Sequence, residues 1–301
     1  MERRDEAGST GAGAPEALPT WVVLVVPLAA FGVAKWTGRV AHRVMRQLAE
    51  DATQGRARWW LAGGPEAIAR IVHQFVAATA LVVLVLLAVF LFRRPTRATL
   101  GLVAGRVPVA AWWLLAAATF SFALGAAGLV EMLARLARVS EESPAVNAFF
   151  DLVRRVPPLL AALLVLGSAG GAAFAEELAF RGWLQNQLLE RFGPRAAVFV
   201  TALVFAAAHL EPARVIYAFV LGLWLGYVAL RTGSVLPAAL CHAAVNGTSL
   251  VLFRLAGDLD PARFSVGGWT VFWGIAALSV ALAIVSFRVL ERAGRAGPSP
   301  R

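Results

Sequence analysis

Glu176-Glu177-Leu178-Ala179-Phe180-Arg181 places three formal charges in six residues, directly after an apolar run. That run, Pro157 to Ala175, holds 19 residues without one charged side chain. Two more apolar stretches follow, and each carries a single histidine, His209 and His242. An ionisable group at membrane depth costs roughly 2.5 to 3.5 kcal/mol on insertion scales, so such groups face the protein interior and mark function. Two adjacent carboxylates in this setting therefore call for a chemical explanation.

The rest of the chain repeats the apolar pattern. Of 301 residues, 59% are hydrophobic and 15% charged, against about 45–50% and about 25% in a soluble domain. The excess is collected into separate runs of membrane-spanning length, which predicts an all-α, polytopic transmembrane helical bundle. The runs do not alternate apolar with polar residues, so a transmembrane barrel is excluded. The net charge is +10, and all but one of the 28 basic residues are arginine. These arginines fall mostly between apolar runs, where they meet lipid phosphates. No basic cluster interleaves with aromatics as a single-strand binder requires, so no nucleic-acid partner is expected. The single cysteine, Cys241, excludes an intrachain disulfide. It adjoins His242, but neighbours on a helix point about 100° apart, so Cys241 is read as a small buried thiol.

The runs predict eight spans, at about 19–36, 68–92, 107–130, 157–191, 195–209, 213–230, 235–254 and 267–290. Residues 1–18 mix both charge signs with Gly, Ala, Ser and Pro and are expected to form a disordered tail without a cleavable signal. Residues 19–156 are expected to form the N-terminal transmembrane helices. Between the first two spans, residues 35–60 carry arginines at amphipathic spacing, which predicts a helix at the headgroup level with Trp59-Trp60 in the aromatic belt. Residues 157–255 form the expected catalytic core, and 256–301 the last span and a basic tail. Gly193-Pro194 and Arg231-Thr232-Gly233 are expected to turn the chain. With eight spans, 14 basic residues fall on each side, so charge sets no orientation. Glu141-Glu142, in a polar loop beside Pro144, is expected to be solvated. His42 and His73 lie in or near interfacial segments and are read as structural.

Glu177 and Arg181 stand at i, i+4 with the acid first, the favoured order for an ion pair. Glu176 points about 100° away, toward Ala172, Ala173 and Phe180. The approach to it, Gly167 to Ala173, consists of small residues that let helices come close. One carboxylate thus reads as paired and the other as chemically active. Phe205 and His209 share a helix face, as do His242 and Asn246. Together these predict a water-activating site. Glu176 takes a proton from water, helped by His209 or a metal, and His242 and Asn246 donate to the oxyanion of a tetrahedral intermediate.

The three pairs Glu176-Glu177-x-x-x-Arg181, Phe205-x-x-x-His209 and His242-x-x-x-Asn246 resemble, in order, the three motifs of the CPBP family. These are the CAAX-processing and bacteriocin-processing intramembrane proteases, which include the type II CAAX prenyl endopeptidases. The resemblance covers about 170–250. It implies a helical intramembrane endopeptidase, with Glu176 as base, His209 as its aid, and His242 and Asn246 as the oxyanion site. Glu177, Arg181 and Phe205 take supporting roles. The family is often labelled metalloprotease. Glu176, His209 and His242 could supply a His₂Glu set for zinc or another divalent metal, although there is no H-E-x-x-H. The implied partners are the lipid bilayer and a membrane-bound, lipidated or leader-bearing protein or peptide substrate, and the implied location is a bacterial cytoplasmic membrane. The reading from a different class is a non-proteolytic immunity, scaffold or transport protein on the same helical frame.

Overall fold

The computed structural model describes residues 18–53, 64–92, 96–137, 144–210, 212–256 and 266–295. Among these every regular element is helical, and the chain is an all-α, polytopic membrane bundle. In order the helices are α1 (Thr20–Thr53), α2 (Gly64–Leu91), the short α3 (Thr96–Thr99), α4 (Val109–Ala137), α5 (Pro144–Arg155) and α6 (Pro158–Val165). Then come α7 (Ala173–Glu177), α8 (Asn186–Ala207), α9 (Pro212–Thr232), α10 (Val235–Ala256) and α11 (Val266–Arg295). Six stretches of the described residues are long and apolar enough to cross a membrane. One of them, Pro158–Ala207, runs to 50 residues and contains two of the expected spans. Each of the eight expected spans coincides with helix. Residues 1–17 of the expected tail, Trp59-Trp60 and Glu141-Glu142 lie outside the described residues.

Local chemistry explains the boundaries. Pro157 precedes the helix start and Pro158 opens it, a position where the missing N–H costs nothing and the fixed φ is already helical. Gly193 has φ 75° and ψ 175° inside α8. It turns the chain where the Gly-Pro pair predicts. The 14 residues of helix after it span only about 21 Å, short of a hydrocarbon core of about 30 Å.

One expectation fails. The first span and the basic segment after it were expected as separate helices, but α1 runs unbroken from the first into the second as far as Thr53, 34 residues in all, and residues 54–60 lie outside the described residues. Its only internal proline is Pro27. The apolar positions beyond Lys35 keep the helical period, so nothing forces a break. This second half of α1 leans on the start of α2. His42 Nε2 lies 3.1 Å from Glu66 Oε1, and Arg70 Nε donates to the same oxygen at 2.8 Å.

The main core joins α1, α2, the acidic helix and α8 through Val23, Phe31, Leu81, Val85, Phe180, Trp183 and Phe205. A second cluster joins α4, α9, α10 and α11 around Leu115, Leu225, Val245 and Leu290. The acidic helix lies between them.

Candidate active site

Between α6 and α8 the helix is not α throughout. Leu166–Ala172 and Leu178–Gln185 are both π-helical, and the five-residue α7 between them carries Glu176 and Glu177. A π turn holds one more residue than an α turn and is found most often at functional sites. The small residues predicted to allow close approach do so. A Cβ on Gly167 would come within 2.5 Å of Gln74 Oε1 on α2, and one on Gly247 of α10 within 3.2 Å of the Ala169 methyl.

Glu177 is fully buried. Its Oε1 accepts from Arg181 Nη1 at 2.7 Å and lies 2.9 Å from His242 Nδ1. An ionised carboxylate has no proton to give, so Nδ1 carries the hydrogen and His242 is the donor. Arg181 also donates Nη2 to the Gly222 carbonyl at 3.1 Å and lies 4.4 Å from the centre of the Phe205 ring. One turn on, Gln185 Nε2 donates to the Gly226 carbonyl at 2.9 Å. Arg181 and Gln185 are four residues apart, as are Gly222 and Gly226, so two donors on one helix meet two bare carbonyls on α9. The ion pair predicted from i, i+4 spacing is present. Its tie to His242 and the glycine carbonyls had no local signal in sequence.

Glu176 looks another way. It is 9% exposed and lines a cavity of about 60 Å³ between α1, α2 and the acidic helix. Phe31, Ala34 and Lys35 of α1 line it, with His73, Gln74, Ala77, Ala78 and Leu81 of α2, and Ala172 and Ala175. The volume suits water-sized occupants. Lys35, Gln74 and His73 were missed as site residues. The available signal was weak. Lys35 is the only lysine, and His73 and Gln74 are polar residues at the edge of an apolar run.

His209 sits where α8 ends. Leu210 has φ 61°, a left-handed residue of the kind that terminates helices. His209 N bonds the Ala206 carbonyl, and His209 Nδ1 lies 2.9 Å from the Phe205 carbonyl. That carbonyl can only accept, so Nδ1 carries the hydrogen. On α10, Asn246 Nδ2 donates to the Ser168 carbonyl in the first π turn at 3.3 Å.

Phe205 is the hub of these groups. Its ring centre lies 4.8 Å from that of His209, 5.9 Å from that of His242 and 5.2 Å from that of Phe180. Phe31, which lines the Glu176 cavity, packs 6.4 Å from His209. The sequence reading has Glu176, His209, His242 and Asn246 facing one cavity. Of the four, Glu176 lines the cavity described above, His209 reaches its wall through Phe31, His242 bonds Glu177, and Asn246 bonds the π turn.

The suggested metal set, Glu176, His209 and His242, does not fit a metal centre as the structure stands. Among the described residues no three His, Cys, Asp or Glu side chains group as a metal site.

Beside the site runs an apolar groove of about 450 Å³. Trp112 and Trp113 of α4, Ala169, Gly170 and Phe174, and Leu236, Leu240 and Ala243 of α10 line it. Glu176, His209, His242 and Asn246 are not among the residues that line it, and it lies on the α4 and α10 side of the acidic helix, whereas the Glu176 cavity lies on the α1 and α2 side.

A family model described as Rce1-like, type II CAAX prenyl endopeptidase, matches residues 158–248. The match begins at the first residue of α6 and includes Glu176, Glu177, Arg181, Phe205, His209, His242 and Asn246. It leaves out α1 to α5. No curated protein and no solved structure matches the chain.

Proposed function

We propose, from the premise that residues 158–248 are the CPBP-type protease domain of an integral membrane protein, that Glu176 is the base of an intramembrane endopeptidase. The observation that carries this reading is the separation of two adjacent carboxylates. Glu177 is held by Arg181 and His242 in a packed interior, while Glu176 borders a water-sized cavity.

In the proposed reaction Glu176 takes a proton from a water molecule, and the hydroxide attacks the carbonyl carbon of the substrate peptide bond. His209 orients that water. Negative charge then builds on the carbonyl oxygen, where preorganised donors contribute most. Asn246 uses one N–H on Ser168 and has a second to give. His242, fixed through Nδ1 by Glu177, donates through Nε2 when its ring is doubly protonated. When the intermediate collapses, the C–N bond breaks and the protonated Glu176 returns its proton to the leaving amine. No step is assigned to a metal, because the donor set does not group as one.

The substrate class follows from the matched family. Its description, a type II CAAX prenyl endopeptidase, supports a membrane-bound protein substrate with a prenyl chain near the scissile bond. The test is a comparison of membrane proteomes from cells expressing the wild-type protein and Glu176→Gln. Substrates should accumulate uncleaved with Glu176→Gln while the variant inserts normally. Equal turnover by the variant would remove Glu176 from the chemistry, and a substrate-free comparison would favour a non-proteolytic role.

A further inference from the structure

The cavity at Glu176 has two ends. His73 and Leu81 are separated by eight residues of α2, about 12 Å along the helix. At the Leu81 end the walls are closed, with Leu81, Phe31 and Ala175 all buried. At the His73 end they are open, with Lys35 and His73 each partly exposed. Glu176 therefore lies toward the floor and Lys35 at the mouth.

Lys35 is unusual in three respects. It is the only lysine in a chain with 28 basic residues. Among the described residues its partner is the face of Phe31, 4.8 Å from Nζ to the ring centre. No ion pair joins it to a described carboxylate. Arg70, Arg155, Arg181 and Arg231 each meet a carboxylate oxygen. Lysine also differs from arginine in carrying a compact charge with three rotatable donors, which suits a narrow mouth better than a planar fork does.

We propose that Lys35 is a substrate-binding residue that receives a carboxylate of the cleaved peptide at the mouth of the Glu176 cavity. This rests on the protease reading of Glu176. It makes α1, which lies outside the matched segment, part of the site. The carboxylate has two sources, the free C-terminus of the substrate and an Asp or Glu side chain near the scissile bond. The ion pair would form partly out of water, over an aromatic ring that already favours the cation. It would strengthen binding by about the size of one charge-assisted hydrogen bond, or about tenfold in Kd.

The experiment separates binding from cleavage. Full-length Glu176→Gln protein in nanodiscs is titrated with fluorescent peptides carrying an S-farnesyl cysteine and three further residues, the arrangement of a prenylated C-terminus. One peptide ends in a free acid, one in an amide, and one in an amide with a Glu in the last three residues. The free acid, the Glu-bearing amide or both should bind about tenfold tighter than the plain amide, and which one does identifies the source. Lys35→Met should abolish the difference, and Lys35→Arg should retain most of it. Equal binding of all three, including no binding of any, overturns the proposal, as does a preference that survives in Lys35→Met. In that event Lys35 serves the lipid headgroups. Cleavage is scored separately with the wild-type protein. A carboxylate preference without turnover would leave Lys35 in place and count against the protease reading alone.

Discussion

Glu176 and Glu177 are neighbours in the chain and occupy opposite kinds of environment. Glu177 is met by a guanidinium and an imidazole, both packed against the Phe205 ring, in a fully buried position. Glu176 borders a cavity that opens toward a lysine and a third histidine. The difference teaches that a buried carboxylate is not functional because it is buried. One of these is neutralised by design, and its charge goes into fixing Arg181 and His242. The other borders a cavity, and the proposed role as a base draws on that space for water.

The sharpest way to break this comparison is to remove one carboxylate at a time. Glu176→Gln should lower turnover by about 10² to 10⁴-fold, the range for general base catalysis, with little change in thermal unfolding in detergent. If turnover is lost equally with a collapse in stability, the two faces are not functionally distinct. Arg181→Ala should do the reverse. It leaves the buried Glu177 charge uncompensated, at a cost of about 3–5 kcal/mol, read as a large drop in the unfolding midpoint. The double variant Arg181→Met with Glu177→Gln should recover part of that loss, because it removes both charges together.

Asn246→Ala tests the oxyanion assignment. It should reduce kcat by about 10² to 10³-fold with KM little changed, as expected for a donor used mainly in the transition state. A change confined to KM would return Asn246 to a packing role through its bond to Ser168. The smallest effect is expected at Gln185→Ala, which deletes one hydrogen bond to the Gly226 carbonyl. It should cost about 1 kcal/mol of stability and leave kcat alone, since this contact is about two turns removed from the two carboxylates.

Much of this was legible in the sequence. The spans show because 19-residue uncharged runs have few physical meanings. The turn at Gly193-Pro194 shows because one residue supplies positive φ and the next cannot continue a helix. The Glu177–Arg181 pair shows because helical spacing alone brings the two together. What was not legible depends on which helices touch. Nothing local to His73 or Lys35 says that α1 and α2 will lie against the acidic helix. Nothing in Gly222 or Gly226 says that their carbonyls will receive Arg181 and Gln185. The continuity of α1 was misjudged because a change from apolar to basic composition alters the surroundings of a helix without breaking its hydrogen bonds.

The two π turns have a consequence for the history of the chain. Each is an α-helix with one residue too many, so the stretch from Pro158 to Phe192 holds two more residues than an α-helix with the same number of turns. Deleting one residue from Leu166–Ala172 should let that segment return to α geometry with the same number of turns, so α7 keeps its facing relative to α6. Deleting one residue from the α-helical Pro158–Val165 has no such slack, and should turn everything before it by about 100° relative to α7. A relative that lacks one position in the π turn would therefore be expected to keep Glu176 in place, whereas one that lacks a position in α6 would not, and sequence comparison by motif alone would not tell them apart.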